Sequence, residues 1–141
     1  MKVEKIDHIH IAVKNLDEAV RRFEDILGTK FSDDLFEPNL KTRSKIDPLG
    51  VEIIESTSPD GVIAKFLRLR GEGLNAISFK VADLDKAVEE LQAKGLRLVN
   101  RVEGGNLREA QFHPKDSFGV MIELAEYNEV HGAVLAALKK T

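Results

Sequence analysis

Asp7-His8-Ile9-His10-Ile11-Ala12-Val13, followed by Leu16-Asp17-Glu18-Ala19-Val20, is met again as Asn75-Ala76-Ile77-Ser78-Phe79-Lys80-Val81 with Leu84-Asp85-Lys86-Ala87-Val88. Between positions 7–27 and 75–95 six residues are identical: Ile9/Ile77, Val13/Val81, Leu16/Leu84, Asp17/Asp85, Ala19/Ala87 and Val20/Val88. A period this long in a short chain marks one supersecondary unit used twice. A second pair, Val51-Glu52-Ile53 and Ile122-Glu123-Leu124, lies seventy-one apart, so the later copy carries about three more loop residues. The equivalences set His8 against Ala76 and Glu52 against Glu123. Three of those four side chains can bind a metal, and alanine cannot.

Working outward from the first stretch, Ile6 to Val13 alternates, with Ile9, Ile11 and Val13 on one side and His8, His10 and Ala12 on the other. That period predicts a half-buried strand. Leu16, Ala19, Val20, Phe23, Ile26 and Leu27 then recur at helical spacing; Asn15 with Glu18 resembles a capping box and Gly28 a stop. Strands are expected at 31–35, 42–46 and 51–56, and a short helix at 62–69 in the connector. The later copy repeats the order: a strand at 76–81, a helix at 84–94 opened by Asp83 and stopped by Gly95, and strands at 96–102, 109–113 and 120–124. In the tail, Val130, Val134, Ala137 and Leu138 share one helical face, with Glu126 and Glu129 near its start and Lys139 and Lys140 at its end.

The fold class expected is therefore α+β. Two tandem βαβββ units form a curled mixed sheet around a shared cavity, with helices on the convex side and a C-terminal helix appended. All 141 residues fit a single domain, with one repeat over about 5–56, a connector 57–73, the other repeat over about 74–125 and a tail helix 128–140. A net charge of −3 offers no footprint for nucleic acid or an anionic membrane. No apolar run approaches the length of a bilayer-spanning helix. Zero cysteines exclude a disulfide framework, a thiolate ligand and a cysteine nucleophile. The first residues lack the apolar core of a signal peptide, so a cytoplasmic setting is expected.

Glu52 and Glu123 each sit mid-strand among aliphatic residues. A carboxylate there is expensive to bury unless it is paired or bound to a cation. At equivalent places in both copies, and beside the strand carrying His8, they read as metal ligands. Imidazole with two carboxylates and no sulfur suits a first-row divalent ion: Co, Mn, Ni, Zn or Fe. His10 faces the same side as His8 and is either a packed histidine or the substitute for the donor absent at Ala76. His113 reads as a loop residue and His131 as a surface one. Arg43, Lys65, Arg68, Arg70 and Lys115 are either a solvated face or contacts for an anionic substrate.

Three stretches carry a resemblance to a known family. They are Ile6-Asp7-His8-Ile9 through Val13-Lys14-Asn15-Leu16; Ser58-Pro59-Asp60-Gly61 through Phe66-Leu67 into Arg70-Gly71-Glu72-Gly73-Leu74; and Phe112-His113-Pro114-Lys115 into Gly119-Val120-Met121-Ile122-Glu123-Leu124. With them the chain resembles the vicinal oxygen chelate superfamily of glyoxalases, bleomycin resistance proteins and dioxygenases, and within it the methylmalonyl-CoA epimerases. The resemblance implies a divalent metal held by His8, Glu52 and Glu123, a coenzyme A thioester as the small-molecule substrate, and a homodimer. It also implies that the ion stabilises an enolate while Glu123, at once ligand and catalytic residue, lies near one face of the reacting carbon. The epimerase pattern has paired histidines after Gly-Leu, where this chain has Asn75-Ala76. A second catalytic carboxylate, expected from the third strand of the first copy, falls among Glu37, Asp34 and Asp47. The function expected is a metal-dependent isomerase working by enolate-forming proton transfer. The alternatives are a non-catalytic small-molecule-binding protein and an iron-dependent dioxygenase-like member.

Overall fold

The computed structural model describes residues 1–104 and 106–128. The tail helix expected at 128–140 lies outside the described residues except for Asn128, which belongs to no element. Among the described residues, eight strands and three α-helices follow in the order β1 (Val3–Ala12), α1 (Leu16–Leu27), β2 (Leu35–Glu37), β3 (Thr42–Ile46), β4 (Val51–Ser56), α2 (Val62–Arg70), β5 (Gly73–Val81), α3 (Leu84–Ala93), β6 (Leu98–Gly104), β7 (Leu107–Phe112) and β8 (Met121–Tyr127), with a 3-10 turn at Pro114–Ser117. This is βαβββ, a connecting helix, and βαβββ again, the architecture the repeat predicts. Among the described residues no helix is long and apolar enough to cross a membrane.

The chain condenses into two units, one holding Ile9–Asn75 and the other Met1–His8 with everything from Ala76 on. We call them the N-terminal and C-terminal units. In the N-terminal unit β2, β3 and β4 are antiparallel neighbours, and β4 runs parallel to Ile9–Ala12 of β1. Asn15 caps α1 by accepting the Glu18 N–H at 3.0 Å, and Gly28 ends it in the left-handed region at φ 68°. Val13, Leu16, Val20 and Ile53 form the core under α1, joined by Ile11, Phe23 and Val51. On the other side of the strands Ala12 and Ile54 pack with Ile63, Phe66 and Leu67 of α2. Gly61, which opens α2, sits so close to β4 that a Cβ there would meet the Ser56 Oγ at 2.5 Å.

The strand expected at 31–35 forms only from Leu35. Phe31 turns its ring to the α1 core, its N–H donates to Glu24 Oε2, and Ser32 exchanges hydrogen bonds with Ile46. These bonds satisfy the backbone without a ladder.

In the C-terminal unit β5 is parallel to β8, and β8, β7 and β6 follow antiparallel. Asp83 caps α3 through the Lys86 N–H. The core is Val81, Leu84, Ala87, Val88, Leu91, Ala110, Phe112 and Leu124, with Phe79 against it. Leu96 is taken by the end of α3, donating its N–H to Leu91 O, so β6 starts two residues later than its pattern predicts. Glu126, which sequence set beside the tail helix, belongs to β8.

Candidate metal centre

Register places the polar residues of the C-terminal unit in a row. Ser78 on β5 is the partner of Glu123 on β8, which is the partner of Gln111 on β7, which faces Asn100 on β6. Residues paired across a ladder share a face, so all four lie opposite the face that packs under α3. The Asn100 amide donates to Gln111 Oε1 at 3.1 Å, and the Gln111 amide donates to Glu123 Oε2 at 2.8 Å. Glu123 is 1% exposed. With Oε2 so held, Oε1 is turned to His8 Nε2, 3.2 Å away.

His8 is fixed from behind. Its Nδ1 lies 2.7 Å from Asp7 Oδ2, and the other Asp7 oxygen accepts the Tyr127 hydroxyl. Burial pushes the Asp7 carboxyl up, but the hydrogen bonds from His8 and Tyr127 and the nearby charges of His8 and Lys5 outweigh it, holding the group below its ordinary value. Burial and the same Asp7 contact raise the Tyr127 phenol, so it stays a neutral donor. Lys80 stands 4.5 Å over the Tyr127 ring. A carboxylate behind the imidazole assigns the Nδ1 proton and leaves Nε2 as the ligand atom, the arrangement that metal-binding histidines adopt.

The third donor is Glu109, two residues before Gln111 on the same face of β7. Its Oε2 lies 3.9 Å from His8 Nε2. One ligand atom each from His8, Glu109 and Glu123 falls within 4.8 Å of the others. Sequence reasoning passed over Glu109, although the alternation Glu109, Gln111, His113 put it on the face of Gln111. What it lacked was the register between β7 and β8.

In the N-terminal unit His10 and Glu52 meet, with His10 Nε2 at 3.7 Å from Glu52 Oε1 and the Ser44 hydroxyl donating to Glu52 Oε2 at 2.7 Å. His10 is buried. Thus the structure brings His8 to Glu123 and His10 to Glu52 within their own units. Both histidines lie on one side of β1, since they are two residues apart in a strand.

Most of the remaining candidates have structural partners. Asp47 is fully buried, but its carboxylate accepts from Leu49 N, Val51 N and the Thr29 hydroxyl. Asp34 pairs with Arg43 at 3.1 Å, and Glu37 accepts the Asn39 N–H. Arg43 is bound by Asp17 and Glu55 as well, so it serves the fold rather than an anionic ligand. Arg68 donates to Pro59 O, and Arg70 lies over the Phe66 ring. His113 caps the 3-10 turn through the Lys115 N–H, and His131 lies outside the described residues.

Residues 7–113 match the family described as the Glyoxalase/Bleomycin resistance protein/Dioxygenase superfamily. The human mitochondrial methylmalonyl-CoA epimerase is 30% identical over 129 residues, covering 86% of this chain and 73% of that protein. The crystal structure of methylmalonyl-CoA epimerase from Mycobacterium tuberculosis superposes with a TM-score of 0.81 at 32% identity, covering 90% of each chain. A methylmalonyl-CoA epimerase in complex with methylmalonyl-CoA and ammonium superposes with a TM-score of 0.83 at 27% identity, covering 94% of this chain and all of that one (100%).

Proposed function

Since the chain belongs to the glyoxalase/bleomycin resistance protein/dioxygenase superfamily, we propose that it is a metal-dependent isomerase that moves a proton on the carbon beside an acyl-thioester carbonyl. A methylmalonyl-CoA-type thioester is the substrate class, by likeness to the epimerases. The observation that carries the reading is the His8–Glu123 pair, an imidazole oriented by Asp7 against a buried carboxylate oriented by Gln111. One neutral imidazole with carboxylates is a donor set for a first-row divalent ion. His8 and Glu123, which meet inside the C-terminal unit, would hold it. When bound, such an ion supplies Lewis acidity to a substrate carbonyl.

The chain's own residues do the rest. Asp7 keeps the His8 ring from rotating and its Nδ1 protonated. Gln111 restrains Glu123 so that a single oxygen is presented at a fixed place. Glu123, buried and acceptor-only when ionised, takes the proton from its face of the carbon, and inversion is completed when an acid or a water delivers a proton to the opposite face.

In deuterated water with Mn²⁺ or Co²⁺ supplied, the protein is expected to place deuterium at C2 of methylmalonyl-CoA, followed by mass spectrometry, and His8→Ala is expected to abolish the exchange. A native protein that exchanges nothing with any of Mn²⁺, Co²⁺, Ni²⁺ or Zn²⁺ overturns the isomerase.

A further inference from the structure

Three carboxylates surround the His8 ring: Asp7 on its Nδ1 side, with Glu123 at 3.2 Å and Glu109 at 3.9 Å from Nε2. The Glu123 side chain is 1% exposed and that of Glu109 12%. Two buried or half-buried carboxylates gathered at one imidazole nitrogen offer a divalent cation several hard donors at once. Asp7 holds the Nδ1 side of the ring by a hydrogen bond, which leaves Nε2 on the side of the two glutamates.

The distances fit one ion. Two ligands each about 2.1 Å from a metal stand roughly 3.0–3.4 Å apart for angles between square and tetrahedral. The Glu123 separation falls in this range, and that of Glu109 exceeds it by about half an ångström, within the reach of a carboxylate on a stem of two methylenes. Two carboxylates and a neutral imidazole carry a charge that balances a divalent cation. An independent sign of a ligand lies alongside. Ser78, the register partner of Glu123, is fully buried, and its hydroxyl has no hydrogen-bond partner. A buried hydroxyl beside a set of metal donors is placed for a metal-bound water or a substrate oxygen. Ala76, on the same face of β5, contributes no donor.

We infer that Glu109 is itself a metal ligand, completing with His8 and Glu123 a one-imidazole, two-carboxylate set inside the C-terminal unit, suited to an oxygen-preferring divalent ion such as Mn²⁺. This rests on the metal-binding half of the proposed function and is independent of its chemistry.

The test is calorimetric titration of the whole protein with MnCl₂, paired with thermal unfolding in EDTA. The native chain is expected to bind one equivalent. Glu109→Gln is expected to weaken binding by more than about tenfold, since even the outer partners of metal ligands are worth 10–100-fold. In EDTA the same variant is expected to melt no lower than the native protein, because the exchange relieves crowding among carboxylates. A residue with only a structural role would lower the melting point instead. Glu109→Asp, which keeps the charge but draws the oxygen back, is expected to bind with intermediate affinity. Unchanged Mn²⁺ affinity in Glu109→Gln, alongside lost binding in His8→Ala, overturns the inference and leaves the metal site standing. A native protein that binds no Mn²⁺ overturns both. Glu109-dependent binding without deuterium exchange supports the inference and removes the isomerase.

Discussion

In both units the helix begins in the same way, and the faces turned away from those helices have diverged. Asn15 and Asp83 hold equivalent caps. Three residues after each mid-strand glutamate comes a second one: Glu55 accepts the Leu16 N–H at 2.7 Å, and Glu126 accepts the Leu84 N–H at 2.8 Å. An arginine then joins each of these glutamates to the aspartate one residue into the helix. Arg43 joins Glu55 to Asp17, and Arg108 joins Glu126 to Asp85. Across the sheet the copies part. Asp7-His8 corresponds to Asn75-Ala76, and the partner of Glu123 is Gln111 where the partner of Glu52 is Ile46. The duplicated contacts start helices, which both copies must do, whereas the diverged positions bear the candidate metal donors.

The largest test of this contrast makes the first copy like the second. Asp7→Asn is expected to lower Mn²⁺ affinity by about 10–100-fold, measured by titration calorimetry, because the His8 ring loses the carboxylate that orients it. An Asp7→Asn protein binding Mn²⁺ as the native chain does would show that the imidazole needs no orienting partner. A smaller effect should appear twice. Glu55→Ala and Glu126→Ala each remove a charged acceptor from a helix N-terminus and are expected to cost about 1.5–3 kcal/mol in urea unfolding. Costs that differ by more than about twofold would break the equivalence of the two helix starts.

The strands and helices nearest the repeat are legible in sequence because their causes are local: alternation in Ile9–Val13, a cap at Asn15, a left-handed glycine at Gly28. Where the cause is distant, the sequence misleads. Phe31 reads as strand because its bond to Glu24 is seen only once α1 is folded. Glu126 reads as a charge near the start of a tail helix because its acceptor role depends on Leu84. His8 and Glu123 stand out through the duplication itself, whereas the neighbours of Glu109 come from the register of two strands.

The smallest expected effect concerns acid. Hydrogen bonds from Arg43 to Asp17, and from Arg101 and Arg108 to Asp85, hold both aspartates below their ordinary value. A folded pKa below the unfolded one contributes stability above the unfolded value of 3.8, lost as pH falls through the folded one. Asp17→Asn and Asp85→Asn should therefore each flatten the stability curve below about pH 4 by a similar, small amount, both groups being exposed to solvent. A strong effect from one and none from the other, followed by unfolding at stepped pH, would mean that only one of the two arginine links is held in solution.

The division of the leading strands has a practical consequence. β1 passes from one unit to the other after His8, and β5 does so after Asn75, so each repeat starts in the unit that the other repeat completes. A fragment ending near residue 73 keeps Asp7 and His8 but loses Glu109, Gln111, Glu123 and Tyr127. The complementary fragment keeps those four and lacks the imidazole. Neither half is a module. Neither piece alone is expected to keep the candidate centre, whichever side of the cut it comes from.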